Sequence, residues 1–485
     1  MTTPRKSLSF RQDEDGAILV LFALMLAAFA GLVAMSYDFG QSAATQSELQ
    51  SFSDNVALAA AGELDGTEGA INRARLAAAT LIADSQTYGE GTIALGPDDY
   101  TLAFYATRPG TNPTPTTTDS AAAFVAVRVT PRTVGSVFRR VLDTLNGDDL
   151  QDTTVAAYSV AGFTRFACNV TPLMICAPSL SFDLSTAEGS TLRLHVGADT
   201  GRLTAGALAM LDPVAEIVGA EGLCQGLSGI GLDLCMVAAE GDRATCFADD
   251  GVDVDDSFSI ALDAALNVPF DVFQGVSSSL RNNPLYRPAS NVLSGLRPRS
   301  GQCMTDTNVQ TSARVGLPLD DCQRSATCGL LGDGNWDAGR IAYVNANYGG
   351  TDPHPTAETR FDFYVAEVEA LVAARNSSGP GGLLGGLVNP LLSSLTNLLA
   401  PTCSSVASPD LSRRVLSVAI VDCSGSIQAG DRNLPVMDYA EIFLMSPVGF
   451  DGTDEVRVEV IGRLGENPED NVTGASVRNV VRLYD

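Results

Sequence analysis

The amino-acid sequence predicts an α+β protein. A transmembrane helix at the N-terminus leads into a domain of helix plus antiparallel sheet, and a disulfide-rich mixed α/β region follows outside the cytoplasm. Three observations carry this expectation. From Ala17 to Met35 the chain holds 19 residues without a charge, enough for about 28 Å of helix against the ~30 Å core of a bilayer. Beyond residue 90 the apolar residues change from helical spacing to alternation, the period of strands. All ten cysteines fall at or after Cys168, an even number that reads as disulfides in an oxidising compartment.

Arg5, Lys6 and Arg11 precede the apolar run, and no further basic residue occurs before Arg73. The positive-inside bias therefore keeps residues 1–16 in the cytoplasm, sets 17–37 across the membrane and exports the remainder. A cleaved signal peptide is the competing reading, because Ala28-Phe29-Ala30 offers a small-x-small site. The apolar run is longer than a signal-peptide core and continues past that site, which favours the anchor. The net charge of −27 argues against nucleic acid as a partner, since such proteins present a basic face. With 45% hydrophobic and 18% charged residues, the exported part has the composition of a folded chain, not a disordered one.

In chain order, Gln41 to Ala61 lacks Pro and Gly, and Leu49, Phe52 and Val56 recur at helical spacing, so the anchor helix is expected to continue to Gly62. A second helix fits Glu68 to Asp84. Thr92–Leu95, Tyr100–Tyr105, Ala122–Thr130 and Thr153–Ala161 read as strands, with a short helix at Val134–Leu145 and a loop at Pro109–Ser120. A long helix followed by a small sheet is pilin-like in outline over 38–164. From Arg165 the texture turns Cys-, Gly- and Pro-rich, opening a region expected to reach 375. Within it Ser181–Val196 has strand character, and Leu203–Val218, Ser257–Leu266 and Arg360–Ala374 read as helices. Residues 376–402 are Gly- and Leu-rich, a linker or loop. Residues 403–485 close the chain with three strands, Arg414–Val421, Tyr439–Met445 and Glu455–Ile461, packing on the Cys-rich region.

The cysteines are Cys168, Cys176, Cys224, Cys235, Cys246, Cys303, Cys322, Cys328, Cys403 and Cys423. No CxxC pair occurs, and His195 and His354 stand far from zinc-ligand spacing. Proximity in sequence favours local bridges Cys168–Cys176 and Cys322–Cys328, with Cys403–Cys423 tying down the last strands; the sequence does not decide the connectivity. Asp422-Cys423-Ser424-Gly425-Ser426 follows an apolar strand, the DxSxS pattern that opens the metal loop of von Willebrand A-type domains. Too few residues follow Asp422 to complete such a domain. Asp333, Asn335 and Asp337 repeat the opening of an EF-hand loop, but Ala338 and Val344 stand where its glycine and final carboxylate belong. Asp249, Asp250, Asp253, Asp255 and Asp256 form an acidic loop, more simply a solvated cluster. No GxSxG, HExxH or P-loop is present, so neither an enzyme nor a cofactor is expected.

The stretch DEDGAILVLFALMLAAFAGLVAMSYDFG, with LQSFSDNVALAAA after it, resembles the N-terminus of TadE/TadG-like proteins of the Tad (Flp) pilus-assembly system. The segment from Cys168 to Cys176, CNVTPLMIC, is similar to a block of TadG-like periplasmic regions. So are LGDGNWD (Leu331–Asp337), TRFDFY (Thr359–Tyr364) and RRVLSVAIVDC (Arg413–Cys423). The resemblance implies a bacterial inner-membrane protein, periplasmic in bulk, that serves surface adherence by contacting pilus or secretion-channel subunits. It departs from TadE-type pseudopilins at Leu21, which stands where they carry glutamate five residues after the processing glycine, so processing at Gly16 is not carried over. A divalent-cation-dependent adhesion module using Asp422, Ser424 and Ser426, or Asp333, Asn335 and Asp337, is the alternative. Homo-oligomerisation is left open.

Overall fold

The computed structural model describes residues 15–65, 67–81, 84–87, 93–110, 113–136, 153–179, 181–197, 202–212, 223–243, 245–248, 251–255, 261–301, 303–377, 400–425, 427–450, 455–465 and 467–484. The chain divides into two compact units, residues 1–164 with 480–485, and residues 165–479.

The first unit is built on α1 (Asp15–Ala61), 47 residues without a break, about 70 Å at 1.5 Å per residue. Most side chains from Ile18 to Phe39 stand out into the surroundings, Leu19 at 71% and Phe39 at 66% exposure. The helix is long and apolar enough to cross a membrane, a description that a signal sequence also meets. Further along, Leu49, Phe52, Val56 and Ala60 are fully buried, three or four residues apart on one face. They pack with Ala74 and Ala78 of α2 (Ala70–Leu81). Asp119 accepts the Gly69 and Ile71 amides at the start of α2, at 2.8 and 3.0 Å, and these bonds hold its carboxyl below the usual range.

Short strands β1 (Asp84–Gln86) and β2 (Ile93–Leu95) pair with each other. Next, β3 (Tyr100–Tyr105), β4 (Phe124–Val129) and β7 (Tyr158–Cys168) form an antiparallel sheet. Alternate residues Val125, Val127 and Val129 of β4 join the core against α1, the period-2 signature of a half-buried strand. Between them β5 (Arg132–Val134) pairs with β6 (Thr153–Val155). Val134 is thus strand, not helix, because it faces Thr153 across this pair; residues 137–145 of the expected helix lie outside the described residues.

A closed barrel dominates the second unit. Its strands are β8 (Leu173–Cys176), β9 (Thr191–Val196), β10 (Ala207–Met210), β14 (Val415–Val421), β15 (Val436–Leu444) and β16 (Glu455–Arg463), in the order β10-β8-β14-β15-β16-β9. Closure leaves no edge strand to protect. Along β14, Leu416, Val418 and Ile420 join one apolar cluster and Ala419 and Val421 another, so the whole strand reads as one apolar run. The three C-terminal strands therefore form half of this barrel; they are not a segment laid on another domain. Residues 207–210, expected as helix, are strand. All four side chains are buried, and burial on both faces erases the alternation that distinguishes the two states. Within 181–196, only Thr191–Val196 is strand; Leu184–Ala187 is a helical turn capped by Asp183.

Around the barrel lie β11 (Cys246–Ala248), opposite the end of β7, and the hairpin of β12 (Leu296–Pro298) with β13 (Val309–Thr311). The longer helices among the described residues are α3 (Ile230–Ala238), α4 (Ala261–Asn267), α5 (Asp337–Tyr348) and α6 (Arg360–Ser377). The last strand, β17, spans Ser476–Tyr484. Residues 378–399, most of the Gly- and Leu-rich stretch, lie outside the described residues.

All ten cysteines pair, as Cys168–Cys246, Cys176–Cys423, Cys224–Cys235, Cys303–Cys403 and Cys322–Cys328. Two of the local expectations are corrected. Cys168 sits directly across the β7–β11 ladder from Cys246, while Cys176 ends β8 beside β14, whose chain leads on to Cys423. Cys403 is held away from Cys423 because the Asp271 carboxylate accepts the amides of Thr402, Cys403 and Ser404 at 2.6 to 2.8 Å, placing it against Cys303.

Candidate functional site

The strand directions place one open site on the barrel. Strands β8 and β14 run parallel, so their C-terminal ends emerge at the same rim. Strand β10 runs antiparallel to β8, which brings the residues leading into it to that rim as well. The three connecting segments, Ala177–Ser179, Arg202–Ala205 and Asp422–Gly425, enclose a cleft of about 380 Å³. The Cys176–Cys423 disulfide ties two of its walls together. Leu203 and Cys423 are buried in its lining, whereas Arg202, Thr204, Asp422 and Ser424 are exposed. Asp422 spends one carboxylate oxygen on the Ser424 amide at 2.8 Å, and Thr204 Oγ1 lies 3.4 Å from His195 Nε2.

Of the sequence motifs, Asp422 and Ser424 therefore do reach a cleft; Ser426 lies outside the described residues. Arg202 shares that cleft, and nothing in the sequence around it marks it, because only the antiparallel return of β10 brings it there.

The Asp333 motif serves the local turn. Asp333 Oδ1 accepts the Asn335 amide at 3.2 Å and Asn335 Oδ1 accepts the Asp337 amide at 3.1 Å. Asp321 takes the next two amides, of Ala338 and Gly339, at 2.8 and 3.0 Å. These acceptors satisfy the free N–H groups at the start of α5. From the acidic loop, Val252 and Val254 make strand bridges to Leu434 and Leu211, and Asp253 accepts the Asn433 amide at 2.8 Å; Asp249, Asp250 and Asp256 lie outside the described residues. Among the described residues no three of His, Cys, Asp and Glu converge as metal ligands.

Deeper in the same unit lies a buried ionic core that no sequence motif marks. Arg360, the first residue of α6, is fully buried with Asp320 and Glu459. Its guanidinium donates to Asp320, to Glu459 at 3.1 Å, and to the carbonyls of Pro318 and Gly189 at 2.6 and 3.1 Å, and it lies 5.0 Å from the centre of the Trp336 ring. Glu459 also accepts the Arg360 and Phe361 amides at 2.9 and 2.7 Å, closing the N-terminus of the helix. Asp320 takes the amides of Gly334 and Thr191 on its other oxygen. It passes so near Gly332 that a Cβ there would fall 1.8 Å from it.

A second buried group is Glu367, which accepts from Tyr343, Tyr348 and Asn291; burial pushes its carboxyl up. Arg414 lies among Phe270, Phe443 and Tyr364, 4.4 to 4.9 Å from their ring centres. It donates to the carbonyls of Leu444 and Met445 at 2.9 and 2.8 Å. Burial draws it down to about 10, so it stays charged at neutral pH. Apart from the Tyr364 hydroxyl, which has no hydrogen-bond partner, the polar groups here are satisfied inside the fold, the pattern of a structural core.

Burial pushes Glu459 from the ordinary 4.5 up to about 7, against the pull of Arg360 and the two helix amides. Arg360 thus faces Asp320 and a second carboxyl that is partly protonated near neutrality. A folded-state pKa above the unfolded one means that this group's contribution is fully present below pH 4.5 and is lost as pH rises through about 7. The unfolding free energy is expected to decline between those values, by at most about 1.4 kcal/mol per pH unit. Urea titrations of the wild-type chain and Glu459→Gln across this range check it; an equal slope in both would sink the assignment.

No family model, curated protein or solved structure matches this chain.

Proposed function

We propose that the chain is a membrane-anchored structural component of Tad/Flp-type pilus assembly. In this reading α1 holds it in a bacterial inner membrane with the N-terminus inside, and the exported part contacts pilus or secretion-channel subunits in surface adherence. The observation that carries it is the way the resembling segments meet. CNVTPLMIC supplies β8 with Cys168 and Cys176; RRVLSVAIVDC supplies the parallel neighbour β14 with Cys423. TRFDFY supplies Arg360, and LGDGNWD supplies the Trp336 ring beside it. Arg414 of RRVLSVAIVDC lies 4.9 Å from the ring centre of Tyr364 in TRFDFY, so four stretches scattered over some 250 residues meet through buried side chains. The first unit, a long helix packed on a small antiparallel sheet, supports the pilin-like comparison on outline alone.

A clean deletion in the source bacterium, complemented in two ways, tests the reading. Surface fibres and attachment are expected to be lost. They should return with the full chain and not with a form in which residues 1–37 are replaced by a cleavable signal peptide. Unchanged fibres and attachment in the deletion strain would overturn it.

The cation-dependent alternative draws on Asp422 and Ser424 lining an open cleft. Arg202 on the same cleft opposes it, since a guanidinium repels a divalent cation.

A further inference from the structure

We propose that the cleft at the barrel rim binds a small zwitterion, a free amino acid or a dipeptide, with Arg202 taking its carboxylate and Asp422 its ammonium group. This assignment does not depend on the pilus reading. Its volume of about 380 Å³ falls within the ~300–1,000 Å³ typical of small-molecule sites. Among the described residues, the Arg202 guanidinium makes no hydrogen bond or ion pair. Asp422 keeps one carboxylate oxygen beyond the one that accepts the Ser424 amide. These opposite charges line one cleft without bridging to each other, which leaves space between them for a molecule that presents a carboxylate and an ammonium of its own.

The sign of the cleft discriminates among ligand classes. A lone divalent cation meets Arg202, and a lone phosphate meets Asp422, so each gains one favourable charge and one unfavourable one. A neutral sugar uses neither. A zwitterion satisfies both, and the guanidinium fork matches a carboxylate in two parallel hydrogen bonds. The hydroxyls of Thr204 and Ser424 add donors and acceptors on the same walls, and Leu203, Ala177 and the Cys176–Cys423 disulfide give an apolar floor suited to a small side chain.

The test is calorimetric titration of the full chain in detergent micelles with alanylalanine. Its N-acetylated, C-amidated and doubly blocked forms serve as comparators, with calcium chloride and inorganic phosphate alone alongside. Saturable binding of alanylalanine is expected, weakened at least about tenfold by blocking either end. Arg202→Gln should erase the difference between the free acid and the amide, and Asp422→Asn the difference between the free and acetylated amine. Both side chains are exposed, and an unchanged urea midpoint verifies that the variants fold. The proposal is overturned by no saturable heat with alanylalanine, by equal binding of the doubly blocked peptide, or by calcium or phosphate alone binding with the same dependence on these two residues.

Discussion

Replacing Arg360 by methionine is expected to lower the unfolding free energy of the full chain by about 3–5 kcal/mol, measured by urea denaturation in detergent. The loss comes less from a missing attraction than from what stays behind. Asp320 would remain without a countercharge in a site where both partners are fully buried, and the Pro318 and Gly189 carbonyls would lose their donor. The triple variant Arg360→Met, Asp320→Asn, Glu459→Gln should recover a large part of the loss, because removing a whole buried ion group of this kind is often close to neutral. A loss below about 1 kcal/mol in the single variant, the size of an exposed ion pair, would show that Arg360 is not the hub of this core.

The second large effect is expected at Cys176–Cys423. The double variant Cys176→Ala, Cys423→Ala should lose about 2–4 kcal/mol, chiefly because the bridge restrains the unfolded chain. It closes a span of 247 residues, against 11 for Cys224–Cys235. On the chain-entropy account the short bridge, removed in the same way, should cost less. Urea midpoints under non-reducing conditions decide between them. Equal losses at the two sites would count against the entropic account.

How far the sequence disclosed this molecule follows from what each segment packs against. The helix through Leu49, Phe52 and Val56 is legible because one of its faces meets the sheet and the other does not. The strands Val415–Val421 and Glu455–Arg463 are legible because branched residues crowd them. Ala207–Met210 is not, since a strand buried on both faces has no polar side to reveal its period. Nor is the barrel itself, for its strands join residues 173–210 to residues 415–463, and no local pattern records a pairing across such a distance. The cleft was half legible. Asp422 and Ser424 announce themselves as a motif, whereas Arg202 enters only through the direction of β10. The ionic core was hidden for a related reason, because Asp320, Arg360 and Glu459 look like surface charges until the chain brings them together.

The crossed order of the bridges bears on how the chain comes to be made. Cys168 meets Cys176 as soon as both have emerged during synthesis, yet each waits for a later partner, Cys246 and Cys423. Oxidation in order of appearance would join the wrong sulfurs and leave the paired strands β8 and β14 without the bridge that ties their ends. A cell that makes this protein must therefore hold early thiols apart or reshuffle them, by exchange through a mixed disulfide, until almost the whole polypeptide has been delivered. The barrel cannot close before its last strand, β16, has been made.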